Sequence, residues 1–193
     1  MKIGVLALQG DFAEHISMLK KIGVETAEVR LPEHLNGLDG LIIPGGESTT
    51  IGKLAAAYNL MEPACASSDG PHAIWGTCAG AIFLSNDIGR DQPLLGLMNI
   101  RVRRNAFGRQ IDSFETDLEI DELFKATGTE HPYHAVFIRA PIIESVGGNA
   151  KVLSALEDGR IVAAQEGHLL ATSFHPELTN DTRFHEYFIS LAS

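Results

Sequence analysis

Short apolar runs closed by Gly or Pro alternate with helical spacing through the first half of the chain. Residues 3–8 predict a buried first strand. Residues 14–21 place Ile16, Leu19 and Lys20 at helical spacing. Residues 26–30 predict a second strand and 41–43 a third, closed by Pro44-Gly45-Gly46. Residues 48–58 then predict a helix with Ser48 at its N-cap, and 61–68 a helix end. A fourth strand at 73–75 runs through Gly76-Thr77-Cys78-Ala79-Gly80 into the apolar helix start Ala81-Ile82-Phe83-Leu84. Alternation of this kind predicts a parallel sheet with helices on both faces. The second half is richer in strands, at 97–102, 135–138, 152–154, 161–165 and 170–173, before a closing helix at 181–191. The expected architecture is an α/β three-layer sandwich, with a mostly parallel central sheet and an antiparallel extension.

Composition narrows the function classes. The 193 residues are 45% hydrophobic and 21% charged, ordinary globular values that fit a single domain over 1–193. A formal net charge of −10 repels phosphate backbones, so no nucleic-acid partner is expected. No apolar run reaches the roughly 20 residues that span a bilayer, and the first residues are too short an apolar stretch for a signal peptide. No membrane association is expected. The two cysteines, Cys65 and Cys78, lack metal-like pairing and suggest a reducing compartment, with the cytoplasm expected. No metal is expected. Cys65 reads as structural.

Cys78 has a distinctive setting. Gly76-x-Cys78-x-Gly80 between a strand and a helix is the cysteine form of the nucleophile elbow, a turn that pushes the reactive side chain into an exposed, strained position. Glycines are needed where neighbouring backbone passes too close for a Cβ. The helix start beneath the sulfur favours the thiolate, and the Ala79 amide is placed to face an oxyanion. A small buried hydrophobe in a turn is the alternative for such a cysteine. The flanking glycines and elements favour the nucleophile.

A cysteine nucleophile needs a base, and His175 is the best placed of eight histidines. Because it precedes Pro176 it is biased towards extended backbone, in which His175 and Glu177 project to one side. The carboxylate is then able to orient the imidazole and stabilise its cation. His15, His34, His131, His134 and His168 show no ligand spacing and read as surface or local hydrogen-bonding groups. Gly45-Gly46-Glu47-Ser48, between strand and helix, offers the Gly46 amide as a second oxyanion donor. A phosphate-cradling loop is the alternative, but no Walker lysine stands in the right place.

Together, Gly76-Thr77-Cys78-Ala79-Gly80 and Phe174-His175-Pro176-Glu177 resemble the class I (triad) glutamine amidotransferases, which have a flavodoxin-like sheet. Further motifs narrow the likeness to the glutaminase subunits of pyridoxal 5′-phosphate synthases. They are Leu6-Ala7-Leu8-Gln9-Gly10 with Glu14-His15, Pro44-Gly45-Gly46-Glu47-Ser48-Thr49-Thr50, Arg104-Asn105-Ala106-Phe107-Gly108-Arg109-Gln110, Phe137-Ile138-Arg139-Ala140-Pro141, and Ser173 through Leu178. The resemblance spans nearly the whole chain. It implies hydrolysis of L-glutamine to glutamate and ammonia, with the ammonia passed to a separate synthase subunit that makes pyridoxal 5′-phosphate. It also implies roles for particular residues: Cys78 as nucleophile, His175 as acid/base and Glu177 as its orienter. Gly46, Glu47, Ser48, Arg104, Ile138 and Arg139 would contact glutamine, and Gln9 would order the oxyanion region when the partner docks.

Arg104 and Arg139 suit a substrate α-carboxylate. The cluster Arg101, Arg103, Arg104 and Arg109 also suits a partner-facing stripe, and the backbone of Glu47 is expected to matter at least as much as its carboxylate. The chemistry requires no cofactor. Ammonia is mostly ammonium near neutral pH, so a protected route and low activity without the acceptor are expected. The nearest rival is the glutaminase of imidazole glycerol phosphate synthase, against which the Leu-Gln-Gly start and the Arg104–Gln110 segment speak. A non-catalytic protein of the same architecture, or a regulatory binding module, would not need His175-Pro176-Glu177.

Overall fold

The computed structural model describes residues 1–66, 71–104 and 113–193, with the backbone alone at 65 and 66. In chain order the elements are β1 (Lys2–Leu6), α1 (Phe12–Lys21), β2 (Glu25–Val29), β3 (Gly40–Ile43), α2 (Ser48–Ala57), α3 (Met61–Ala66), β4 (Ala73–Thr77) and α4 (Ala79–Leu84). They continue with β5 (Ser85–Asp87), β6 (Met98–Arg103), β7 (Ser113–Leu118), α5 (Asp121–Thr127), β8 (Tyr133–Ile138), β9 (Ile142–Val146), β10 (Lys151–Ala155), β11 (Ile161–Glu166), β12 (Leu169–Thr172) and α6 (Arg183–Leu191). Short 3-10 turns lie at Pro32–Leu35 and Pro176–Leu178.

The main sheet runs β2-β1-β3-β4-β12-β11-β9-β6-β5, with β10 added against β11. The five strands from β2 to β12 are mutually parallel. From β12 onward the β11, β9 and β6 pairings are antiparallel. The first half therefore folds as its alternation predicts. The predicted strand at 135–138 does form, but as half of a separate antiparallel ribbon with β7. Strands β5, β7 and β9 and helix α5 were not predicted. They are short or carry polar alternation, and their pairing comes from neighbours distant in sequence.

Alternation along the parallel strands divides the core in two. Ile3, Val5, Ala73 and Trp75 face one side, packed with Leu19 of α1 and Phe184 and Phe188 of α6. Leu6, Leu41, Ile43 and Ile74 face the other, against Ile51 and Ala55 of α2 and the all-buried α4. Trp75 lies fully buried over Phe188 at 5.6 Å between ring centroids, and its indole N–H donates to Thr172 Oγ1 at 3.2 Å. Among the described residues no helix is long and apolar enough to cross a membrane.

The turn from β4 into α4 depends on close backbone approach. A Cβ on Gly80 would run into the Ile43 carbonyl oxygen of β3. Gly80→Ala is therefore expected to destabilise the protein by about 1–3 kcal/mol in urea denaturation. Gly147→Ala, whose Cβ would meet nothing nearer than 3.7 Å, should change stability by less than about 0.5 kcal/mol.

Candidate active site

Four parallel strands end on one edge of the sheet, and each delivers part of a single cleft, as open α/β sheets do at their carboxyl ends. Gln9 and Asp11 follow β1, Gly46 to Ser48 follow β3, Cys78 and Ala79 follow β4, and His175 follows β12. Ile138, Arg139, Arg104 and Leu178 complete the walls of a cavity of about 490 Å³. Every residue that the sequence assigned to the site lines this cavity except Glu177, which is buried behind His175.

Cys78 sits at the N-cap of α4 with φ 47°. A non-glycine residue in that region stores about 1–3 kcal/mol of strain and needs a rigid surround. The surround is visible. The Cys78 amide donates to the Thr172 carbonyl at 2.8 Å, continuing the β4–β12 ladder by one residue. Its thiol points at the Ile138 carbonyl, 4.0 Å away. Arg139, the next residue on that wall, also has positive φ, at 41°.

His175 is anchored by its own amide, which donates to the Val136 carbonyl at 2.8 Å. Its Nδ1 donates to Glu177 Oε1 at 2.7 Å, leaving Nε2 for the thiol. Burial works to lower the His175 pKa, but hydrogen bonds and charge from Cys78 and Glu177 outweigh it and raise the value to about 10. For Glu177, burial pushes the pKa up and the bond to His175 opposes it. The two side chains do meet, though not through an extended segment. Pro176–Leu178 is a 3-10 turn, and it is this turn that carries the carboxylate back under the ring.

A second carboxylate went unnoticed in the sequence. Asp11 Oδ2 lies 3.6 Å from His175 Nδ1, and burial raises its pKa while His175 opposes. Its position just after the first strand of a parallel sheet is the signal that marks it. Asp11, His175 and Glu177 are the one grouping of potential cation-binding side chains found among the described residues. Nδ1, however, is committed as a donor to Glu177, and the arrangement serves to hold an imidazolium.

The loop after β3 is tied down from two sides. Gln9 Oε1 accepts the Glu47 amide at 2.7 Å, and the Asp11 amide donates to the Gly45 carbonyl at 3.1 Å. Gly45 has no room for a side chain, since a Cβ there would lie 2.6 Å from His175 Cε1. Ser48 is not the cap of α2. It is buried inside the first turn, and Glu47, in extended geometry, caps instead by accepting from the Thr49 and Thr50 amides at 3.1 and 2.7 Å. The Glu47 carboxylate thus matters as well as its backbone. Burial works to raise its pKa, but bonds from Thr50 and Thr49 outweigh this and lower it to about 2. Arg104 pairs with Glu47 Oε1 at 2.9 Å and bonds Thr49 and Gln92. Of the expected arginine stripe, Arg101 and Arg103 instead pair with Glu144 away from the cleft. Arg109 and the segment 105–110 lie outside the described residues, as does the side chain of Cys65.

A family model described as the SNO glutamine amidotransferase family matches residues 5–192. The chain belongs to the SNO glutamine amidotransferase family. This glutamine amidotransferase is 57% identical, over 99% of its length and 100% of the relative's, to the pyridoxal 5′-phosphate synthase subunit PdxT of Herpetosiphon aurantiacus. It is 56% identical, over 99% of both chains, to that of Moorella thermoacetica. A solved glutamine amidotransferase structure superposes with a TM-score of 0.90 at 50% identity, covering 98% of each chain. PurLQS from Thermotoga maritima, at 15% identity with a TM-score of 0.62 and coverage of 100% and 98%, shares the fold. The α/β architecture with its mostly parallel sheet is thus that of glutamine amidotransferases.

Among the other histidines of this amidotransferase, His34, His131 and His134 make local or cross-strand bonds near the surface, and His168 bonds the Leu191 carbonyl. His15 departs from that expectation. It is completely buried, between Thr77, His185 and Glu177.

Two expectations follow. Cys78→Ala removes one source of the raised His175 pKa, so the imidazole should titrate well below 10 by NMR. His185 is the opposite case: burial and then Lys21 lower its pKa to about 3, against an unfolded value of about 6.5. The unfolded chain binds a proton there that the folded chain refuses. Its contribution to stability is therefore complete above about pH 6.5 and is lost as pH falls towards 3. Urea midpoints should fall through that window, and less steeply in His185→Phe.

Proposed function

We propose that the chain is a single-domain glutaminase subunit that hydrolyses L-glutamine and delivers ammonia to a pyridoxal 5′-phosphate synthase subunit, in the cytoplasm. The observation that carries this reading is the cleft in which Cys78, strained at the start of α4, faces an imidazole whose far nitrogen is bonded to a buried carboxylate. Whole-length identity above 50% to synthase subunits supports the pathway.

In this reading the Cys78 thiolate attacks the side-chain carbonyl carbon of glutamine, and the Ala79 and Gly46 amides hold the resulting oxyanion. His175 gives its proton to the departing nitrogen as the C–N bond breaks, which releases ammonia and leaves a γ-glutamyl thioester. His175 then takes a proton from water, hydroxide adds to the thioester, and glutamate departs with Cys78 restored. Glu177 stabilises the imidazolium present before ammonia leaves and again once water has given up its proton. Glu47, Ser48, Arg104, Ile138 and Arg139 bind the substrate. Gln9 sets the loop that carries Gly46, and this is the element through which a docked partner would act.

Glutamate release, measured with and without the synthase subunit of the same organism, tests the reading. Activity is expected to rise on addition of the synthase and to fall at least about a thousandfold in Cys78→Ala. Undetectable turnover with the synthase present, or turnover that survives Cys78→Ala, would overturn it. Stimulation by a histidine-pathway cyclase instead would overturn the pathway.

A further inference from the structure

Glu177 has two carboxylate oxygens and only one of them is hydrogen-bonded. Oε1 takes the His175 Nδ1–H. Oε2 is fully buried and accepts no hydrogen bond among the described residues. A buried carboxylate oxygen without a donor is costly, and it leaves the group able to swing or to take up a proton. His15 Nε2, on α1, lies 3.4 Å from Oε2, in a site where both side chains are wholly buried.

The surrounding bonds decide which nitrogen of His15 carries the proton. Nε2 lies 3.2 Å from Thr77 Oγ1 and 3.4 Å from Glu177 Oε2. A bare Nε2 would set its lone pair against a carboxylate oxygen in a dry site, so Nε2 carries the hydrogen. Nδ1 is then an acceptor, and it lies 3.0 Å from His185 Nε2, which must donate. His185 Nδ1 is left bare, and among the described residues it has no hydrogen-bond partner. A lone pair without a partner is the cheapest end for such a chain, since no N–H is stranded.

We propose that His15 is a positioning residue that holds Glu177 ionised and aligned under His175 through the dipole of its Nε2–H, which bonds Thr77 Oγ1 and lies 3.4 Å from Oε2. The proposal rests on the glutaminase reading above. Other groups bear on this triad from each packed element: His175 beside Glu177, His185 with Lys21 near it, Thr77 of β4, and Asp11 at the mouth of the cleft. Burial, His185 and His175 keep His15 neutral, so it aligns the carboxylate as a dipole and does not neutralise it.

The test uses the glutaminase–synthase complex for activity and the glutaminase chain for NMR. Imidazole nitrogen spectra of the wild type should show His15 as the neutral Nε2–H tautomer from about pH 6 to 9. The Nδ1–H tautomer, or a charged ring, would overturn the proposal without any variant. His15→Leu should lower kcat for glutamine about 10- to 100-fold with KM within about twofold, and should lower the His175 pKa. His15→Gln, whose amide N–H reaches towards the Nε2 position, should restore kcat to within about threefold of wild type together with the His175 titration. An unchanged kcat in His15→Leu, or a Gln variant no better than Leu, would overturn the proposal. If His15→Leu does not fold, the wild-type tautomer and the Gln variant decide alone. Absence of turnover in the wild-type complex would count against the glutaminase reading, while the tautomer and the His175 titration still judge His15.

Discussion

One ladder holds the site together. β4 pairs with β12 in parallel as far as Thr77 and Thr172, and the Cys78 amide extends the pairing by donating to the Thr172 carbonyl. From that point the two chains diverge by fixed lengths. One turns at once into α4 with Cys78 at φ 47°, and the other reaches His175 three residues on, where its amide is caught by Val136 of the ribbon. A slip of one residue in this register would turn every side chain to the opposite face and part the proposed nucleophile from its proposed base. Trp75 and Thr172, buried and bonded across the same pair of strands, fix the register from the core side.

On that frame the electrostatics are assembled from dry, short contacts. Burial by itself would lower His175 and raise Glu177, and each would then be neutral. Their mutual bond, with the thiol on the other side, reverses the outcome for the imidazole. The loop after β3 belongs to the same construction. Gln9 and Asp11, from the end of β1, hold Glu47 and Gly45 through backbone groups, and Gly45 lies so close to His175 that the loop and the imidazole share one surface. A shift of this loop therefore reaches both the proposed oxyanion donor Gly46 and the imidazole.

Much of this was legible in the residue order. The alternation of apolar runs with helical spacing, and glycine on both sides of Cys78, are local signals and were read correctly to within a residue or two. The elements that escaped, β5, β7, β9 and α5, form where partners distant in sequence supply the pairing. Ser48 was misread as a cap because serine is a common one. The geometry instead placed Glu47 in the extended position, with a side chain long enough to reach two amides. His15 reads in the sequence as a surface or local hydrogen-bonding group because nothing near it in the chain reveals that Thr77, His185 and Glu177 converge on it.

The sequence by itself determined which groups are available for chemistry. It set a cysteine at a strand–helix turn, a histidine two residues before a glutamate, and a glycine pair ahead of a helix, because turn sterics and element periodicity are short-range and written in neighbouring residues. Only the tertiary structure decided how these groups are charged and aligned. Strand register, the 3-10 turn at Pro176–Leu178 and burial of the His175–Glu177 pair depend on contacts between segments up to 170 positions apart, such as His15 with His185. Proton affinity in a dry site is set by what those contacts exclude and supply, which no local pattern encodes.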